Sequence, residues 1–253
     1  MKKLNLRTPK SFDYTKEAGS IPPRIRFYCV SEGPTEESYF WGIRNNRAEL
    51  NIKNDVYIEV IEKQEGQETL SHPLQLVSAC LVQMGHRDSE GKEIPEKDWK
   101  EHCKWENFDP EVDQVCVIFD RDYRGLEEKL DEIFALCERH GIKIVISNPN
   151  FELWLLMHFP DIKQYPSEQL LENKKNLRHQ IFPEASKEKK YLEILVSRQA
   201  EGYTKGSKIK FEKFLPRIEM AVSQAKLYCE DVKRLAEELG TAMGSLIEEM
   251  RVQ

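Results

Sequence analysis

Four short apolar runs most constrain the fold of this chain, because each has the length and composition of a buried strand. They span residues 24–30, 56–61, 114–119 and 142–146. Segments with apolar residues at helical spacing lie between them, over 36–49, 69–84 and 126–140. Strands that alternate with helices indicate βαβ units. The sequence therefore predicts an α/β fold, in which a parallel sheet is flanked by helices.

After residue 150 the pattern changes to helices alone. Helical segments are predicted over 151–158, 167–181, 187–199, 211–229 and 241–250. The chain is thus expected to have a polar N-terminal arm (1–23), a catalytic domain (24–160) and a helical C-terminal region (161–253). Within the domain, residues 85–111 are polar throughout and are predicted to form a long loop or a small insertion.

The composition limits the classes of protein to which the chain can belong. Its 253 residues carry a net charge of −6, so the average charge gives nucleic-acid binding no support, although a local basic groove is enough for it. The six cysteines form no C-x-x-C pair, and Cys29 and Cys116 are expected in the core. Neither a signal peptide nor a membrane-spanning run is found. A reduced, cytoplasmic location away from membranes is therefore expected.

Carboxylates follow two of the predicted strands directly. Glu32 follows the first strand, and Asp120 and Asp122 follow the third. The carboxyl ends of parallel strands meet at one edge of a sheet, and clustered carboxylates there suit Mg²⁺ or Mn²⁺. Such ions orient a phosphodiester and activate water. These three residues are therefore predicted to be catalytic metal ligands of a phosphodiester enzyme. The alternatives are helix N-caps, for Asp122 above all, and a nucleotidyl- or phosphoryl-transfer enzyme.

Glu152 is a charged residue within an otherwise very apolar helical segment. A buried, unpaired carboxylate is costly, so Glu152 is expected to bind metal, to pair with a cation or to lie on an exposed edge. It is a candidate fourth catalytic carboxylate. His158 in the same segment is interpreted as a hydrogen-bonded core histidine. Glu36 is interpreted as a first-turn charge that favours the helix dipole.

Two basic segments are candidates for nucleic-acid binding. In a loop, Lys205 and Lys208 are placed to hold a phosphate while Tyr203 stacks on a base. A basic helical region follows the predicted domain and includes Lys174, Lys175 and Arg178. The alternative for both segments is an ordinary solvated surface.

Several of these strings together resemble known families. The Glu32–Glu36 string E-G-P-T-E and the F-D-R-D at 119–122 resemble a Toprim domain, the catalytic fold of topoisomerases, primases and OLD-type nucleases. The string S-N-P-N-F-E-L-W-L-L-M-H-F at 147–159 is similar to a motif of the RloB-like family, and G-Y-T-K-G at 202–206 resembles that family's later Tyr-x-Lys element. The resemblance covers roughly residues 24–250.

The resemblance implies a Toprim-like core and a metal-dependent nuclease that cleaves RNA, with tRNA as one candidate, or DNA. It also implies an antiphage or abortive-infection effector with an AAA-type or ABC-type ATPase as partner; a homo-oligomer stays open. By motif position, Glu32 would be a general acid/base or metal ligand, and Asp120 and Asp122 the metal-binding pair. Asn150 stands where the family often has Cys. The alternative is a non-enzymatic regulatory or effector subunit with a structural Mg²⁺ site.

Overall fold

A computed structural model describes residues 3–7, 24–67, 70–123, 125–173, 189–206 and 209–252. Its strands are β1 (Ile25–Ser31), β2 (Val56–Ile61), β3 (Gln114–Asp120), β4 (Ile142–Asn148) and β5 (Gly240–Thr241). They form one sheet in the order β2-β1-β3-β4-β5. Strand β1 is parallel to β2 and β3, whereas β5 is antiparallel to β4. This mostly parallel sheet confirms the predicted α/β class.

Helices flank the sheet and form most of the C-terminal part. In the described ranges they are α1 (Pro34–Asn45), α2 (Pro73–Gln83), α3 (Trp99–His102), α4 (Leu130–His140), α5 (Phe151–Leu156), α6 (Ser167–Glu172), α7 (Tyr191–Gln199), α8 (Ile218–Ala225) and α9 (Met243–Val252). None of the helices described there is long and apolar enough to cross a membrane.

The chain divides into two compact units. The first comprises Met1–Ile118, Glu128–Ile144 and Met250–Gln253, and the second comprises Phe119–Glu127 and Val145–Glu249. The sequence-based division into 1–23, 24–160 and 161–253 stays a prediction.

The first unit is built around β1. Cys29 lies opposite Val60 of β2 on one side and opposite Cys116 of β3 on the other. All three side chains are buried, so both cysteines belong to the core, as their apolar surroundings in the sequence indicate. Helix α2 packs against both β1 and α4. These contacts give the first unit a core of its own.

The polar segment 85–111 contributes to that core. It contains a 3₁₀ turn at Glu96–Asp98, helix α3, and Trp105, which is only 2% exposed. The Trp105 ring stacks on Tyr28 of β1, with 4.6 Å between the ring centroids. One buried aromatic residue therefore anchors a segment whose average composition predicts a loop.

The second unit is built around α5, all six residues of which are buried. This helix contacts α7, α8 and β5. His158 follows α5, is fully buried and bonds the carbonyl oxygen of Trp154, which confirms the interpretation as a core histidine. Burial lowers the pKa of His158 to about 3.

The prediction of one helix over 211–229 is wrong. The chain forms 3₁₀ turns at Phe211–Lys213 and Leu215–Arg217, and only then α8. Pro216 lies in the second turn, where its missing N–H removes a helical hydrogen bond. Apolar residues of these elements are nevertheless buried, namely Phe211, Phe214, Ile218, Val222 and Ala225.

Candidate active site

The two aspartates of the third strand lie at its carboxyl end. Asp120 is the last residue of β3, and the chain then turns away. The Arg121 N–H donates to the Ser147 carbonyl oxygen at 3.0 Å, and the Asp122 N–H donates to the Pro149 carbonyl oxygen at 2.9 Å. These backbone bonds hold both aspartates beside the turn that leads from β4 into α5.

The Arg121 side chain fixes the segment between the two aspartates. Its Nε donates to the Ala236 carbonyl oxygen at 2.6 Å, and its guanidinium pairs with Glu127 at 2.9 Å. Because Arg121 is held by both contacts, Asp120 and Asp122 are attached to a constrained backbone.

Asp120 is buried, and both of its oxygens face donors. Oδ1 accepts the Phe151 N–H at 2.8 Å, and Oδ2 lies 3.6 Å from the Lys205 ammonium nitrogen. The whole Asp120 residue is 5% exposed. A hydrogen bond and a nearby cation both favour the charged carboxylate.

Glu152 is buried more deeply still and is held by two donors. The Tyr203 hydroxyl donates to its Oε1 at 2.6 Å, and the Lys205 ammonium donates to its Oε2 at 3.1 Å. Glu152 is 1% exposed, so of the three arrangements expected from sequence it adopts pairing with a cation. Lys205 thereby links Glu152 to Asp120.

A further carboxylate, that of Glu193, interacts with Glu152 and Lys205. Glu193 of α7 is half-buried, and desolvation raises its pKa, with the negative charge of Glu152 adding to the rise. The nearby Lys205 acts in the opposite direction. The charge of Lys205 is thus shared among several acidic groups.

Asp122 is the more exposed aspartate of the pair. It forms an ion pair with Lys190, the residue just before α7. Its Oδ2 also lies 3.5 Å from the side-chain nitrogen of Asn150. Asp122 therefore faces a cation and an amide, and it does not serve as a capping residue of α4, which begins only at Leu130.

Asn150 is a site residue to which the sequence analysis gave no role. It is fully buried and stands at the N-cap of α5, yet its side chain makes no capping bond. Its Oδ1 is buried without a hydrogen-bond partner. Asn before a helix normally predicts a cap, so only the unused cap distinguishes this residue, and that is visible only in the structure.

Glu32 lies in the first unit. It follows β1 and is half-buried; its N–H donates to the Ile118 carbonyl oxygen at 3.0 Å and its carbonyl oxygen accepts a bond from Lys63. Glu36 in the first turn of α1 is buried, and a Cβ at Gly33 would lie 2.9 Å from its Oε2. Gly33 therefore allows the close approach of Glu36 to the backbone.

The nucleic-acid candidates divide into described and undescribed residues. Tyr203 is 7% exposed, with its hydroxyl on Glu152, and Lys205 is on the acidic network. Stacking of Tyr203 on a base and phosphate binding by Lys205 stay predictions. Lys208, together with Lys174, Lys175 and Arg178, lies outside the described residues.

The arrangement brings three carboxylates and two ammonium groups together in the second unit. Within the described ranges, no group of three or more His, Cys, Asp or Glu side chains is arranged to hold a metal ion. The carboxylates are paired with Lys190 and Lys205 instead. Carboxylate oxygens are ligands that hard metal ions prefer, but in this arrangement they face ammonium groups.

Comparison with known proteins supports one family. No curated protein and no solved structure matches the chain. The family model described as RloB-like protein matches residues 27–250, which include the aspartates, Glu152 and the Tyr203–Lys205 loop. This match covers nearly the whole chain and agrees with the resemblance carried by its motifs. The chain belongs to the RloB-like family.

Proposed function

We propose that this chain is a Mg²⁺- or Mn²⁺-dependent nuclease with a Toprim-like catalytic core. The observation that carries the proposal is the acidic network of the second unit, where Asp120, Asp122 and Glu152 are held by lysines at the end of β3. Clustered carboxylates at a strand end are the groups that metal-dependent phosphodiester chemistry needs. The RloB-like family match covers the same residues.

The side chains around Asp122 include oxygen ligands of the kind that a hard divalent cation takes, and they would hold it after Lys190 and Lys205 had moved off the aspartates. Asp120 and Asp122 offer carboxylate oxygens. Asn150, whose side-chain nitrogen lies 3.5 Å from Asp122 Oδ2, also carries an amide oxygen without a hydrogen-bond partner, which would become a ligand if the side-chain amide turned over. Mg²⁺ prefers oxygen ligands of these kinds. When bound, such an ion would neutralise charge on the phosphodiester and lower the pKa of water. Glu32 stays the predicted general acid/base or additional ligand.

Two lysines lie beside the aspartates of the proposed enzyme. Lys190 and Lys205 neutralise Asp122 and Asp120, and both are about one-third exposed at the side chain. Their ammonium groups can therefore turn towards solvent and contact phosphate oxygens of a bound nucleic acid. Glu152 accepts hydrogen bonds from the Tyr203 hydroxyl and from the Lys205 ammonium, so it limits the positions that the Lys205 side chain can take.

The wider role follows from family membership. We infer a cytoplasmic antiphage or abortive-infection effector that acts on RNA, with tRNA as one candidate, or DNA, together with an AAA-type or ABC-type ATPase. The net charge of −6 disfavours broad electrostatic attraction to nucleic acid, which is consistent with a local site. Co-purification with the product of the neighbouring gene would test the ATPase partner.

The central experiment incubates the purified chain with tRNA, single-stranded RNA and DNA, and duplex DNA, with Mg²⁺, Mn²⁺ or EDTA. We expect metal-dependent cleavage, and at least about a hundredfold loss in Asp120→Asn and Asp122→Asn, because each removes a charged group from the proposed site. The matched control is Asp131→Asn, an exposed carboxylate on α4. Full activity of both site variants with intact folding would contradict the proposal.

A non-enzymatic subunit is a second candidate, and one observation favours it. Lys190 and Lys205 already neutralise the carboxylates, so the network is stable as a purely structural element. Isothermal titration calorimetry with Mg²⁺ separates the candidates. Mg²⁺ binding that is lost in Asp122→Asn, without cleavage of any nucleic acid in the presence of the ATPase partner, would favour the structural role.

A further inference from the structure

Two adjoining cavities lie in the first unit, and no described residue of the proposed nuclease site is in the wall of either one. Both are formed between residues 3–7 and α2, and they share Lys3, Leu4, Ala79 and Val82 in their walls. Their volumes are about 490 Å³ and about 310 Å³. Cavities of roughly 300–1,000 Å³ are typical of small-molecule sites.

Residues 3–7 form a fixed wall of these cavities. Leu4 and Leu6 are buried, and Leu6 pairs with Lys63 in an antiparallel bridge. The Asn5 N–H donates to the Gln67 side chain at 2.6 Å, and the Asn5 carbonyl oxygen accepts the Gln64 N–H at 3.0 Å. This part of the predicted polar arm is thus attached to the first unit, and the cavity behind it is a defined space.

The larger cavity is polar and basic. Lys3, Arg7 and Lys104 line it, and no Asp or Glu is among the described residues of its wall. Arg7 also pairs with Glu62 at 2.9 Å on its exposed side. In a chain whose net charge is −6, this local excess of cations indicates a site for an anion.

The smaller cavity has an apolar wall, and its charged residues are Lys3, Arg87 and Glu90. Leu4, Leu74, Ala79 and Val82 supply carbon surface, while Arg87 lies at the edge beside the exposed Glu90. A flat apolar group fits such a wall, and the anion of the same ligand would reach the cations of the larger cavity. The shared wall therefore suits a molecule with one apolar and one anionic end.

Two residues of the cavity walls, Gln83 and Arg87, each carry a buried polar atom without a hydrogen-bond partner. Gln83, the last residue of α2, is 7% exposed and lines the larger cavity; its Nε2 donates to the Leu6 carbonyl oxygen, but its Oε1 is unpaired. The Nε of Arg87 is unpaired as well. A buried polar atom without a partner costs free energy, so the protein gains if a ligand supplies one acceptor and one donor here.

We propose that these cavities bind a nucleoside phosphate. Its phosphate would face Lys3, Arg7 and Lys104 of the larger cavity. Its base would lie against Leu74 and Val82 of the smaller cavity, beside Arg87. An N–H or O–H of the nucleoside would donate to Gln83 Oε1. Lys104 is held at this place because its N–H donates to the Gln83 carbonyl oxygen at 2.8 Å. The site uses none of the proposed catalytic residues, so a test of nucleoside phosphate binding does not depend on nuclease activity.

Isothermal titration calorimetry on the full chain tests the proposal with four probes: AMP, ATP, adenosine and inorganic phosphate. We expect AMP and ATP to bind at least about tenfold more tightly than adenosine or phosphate, because only they use both cavities. Equal binding of phosphate and AMP would reveal an anion site without a nucleoside site and would overturn the proposal, as would absence of binding by all four.

Two variants locate the site. Lys104→Ala changes an exposed side chain and is expected to fold normally while weakening AMP binding about tenfold, the typical cost of a lost charge-assisted hydrogen bond. Gln83→Leu is expected to weaken AMP binding without changing the affinity for phosphate. The matched control is Lys53→Ala, an exposed lysine outside both cavity walls. Unchanged AMP affinity in Lys104→Ala would overturn the assignment.

Discussion

We predict a strong energetic coupling between Glu152 and Lys205. The Glu152 side chain is 1% exposed, and without the lysine it keeps only the Tyr203 hydroxyl as a described partner. Removing one partner of a fully buried ion pair costs about 3–5 kcal/mol. Because the Lys205 side chain is 38% exposed, water reduces that cost, and we expect Lys205→Met to lose about 2 kcal/mol of unfolding free energy.

The second single variant of this double-mutant cycle removes the charge of Glu152. In Glu152→Gln the amide oxygen can still accept the Tyr203 hydroxyl, and Lys205 keeps Asp120 at 3.6 Å, so we expect a loss of about 1 kcal/mol. The double variant leaves no uncompensated charge at this position. Its cost should therefore fall below the sum of the single costs by about 1–2 kcal/mol.

Urea denaturation, followed by circular dichroism and by tryptophan fluorescence, measures all four proteins of the cycle, with equal m-values as a check on two-state unfolding. The matched control is the same cycle at Arg234 and Glu238, a pair 2.7 Å apart but exposed, for which we expect much weaker coupling. Additive single costs at Glu152 and Lys205 would refute the claim that the two residues form a coupled buried pair.

Two further predictions concern stability. Burial, with a smaller effect of His140, lowers the pKa of His86 to about 4. The unfolded chain therefore takes up a proton before the folded chain does as the pH falls below about 6.5. At most about 3 kcal/mol of unfolding free energy should be lost between pH 6.5 and 4. His86→Phe, which can still stack on Trp99, should flatten this part of the pH–stability curve, and equal slopes in both proteins would contradict the assignment. In Gly240→Ala the new Cβ would lie 1.9 Å from the Cys229 carbonyl oxygen, so thermal unfolding should show a loss of about 2–3 kcal/mol, and an unchanged midpoint would contradict the close approach at β5.

The sequence predicts the parallel strands well because each is an uninterrupted apolar run buried on both faces. The predicted strands 56–61 and 114–119 differ by at most one residue from β2 and β3. Strand β5 is only Gly240–Thr241, too short for any periodicity, and the sequence assigns Thr241 to the following helix instead. What fixes β5 is its pairing with β4, including the 2.8 Å contact of the Ser147 and Thr241 hydroxyls.

The site is predictable to the extent that its residues break a local pattern. Glu152 stands out because a charge in an apolar helix needs a partner, and the sequence therefore indicates a cation without naming it. That cation, Lys205, is 53 residues away along the chain. Asn150 and Lys190 follow ordinary patterns, a helix cap and a basic surface, so only tertiary contacts reveal them.

The lysine contacts also assign different roles to the carboxylates of the proposed nuclease. Asp120 and Asp122 face ammonium groups whose side chains are 38% and 31% exposed. Lys190 can release Asp122 by rotating towards solvent, whereas Lys205 can move off Asp120 while it stays on Glu152. Glu152 is 1% exposed, and Lys205 lies closer to it, at 3.1 Å, than to Asp120, at 3.6 Å. Releasing Asp120 therefore costs Lys205 its weaker contact and keeps its stronger one. In the proposed enzyme, Glu152 thus acts through Lys205, as the residue that positions a cation beside the aspartates.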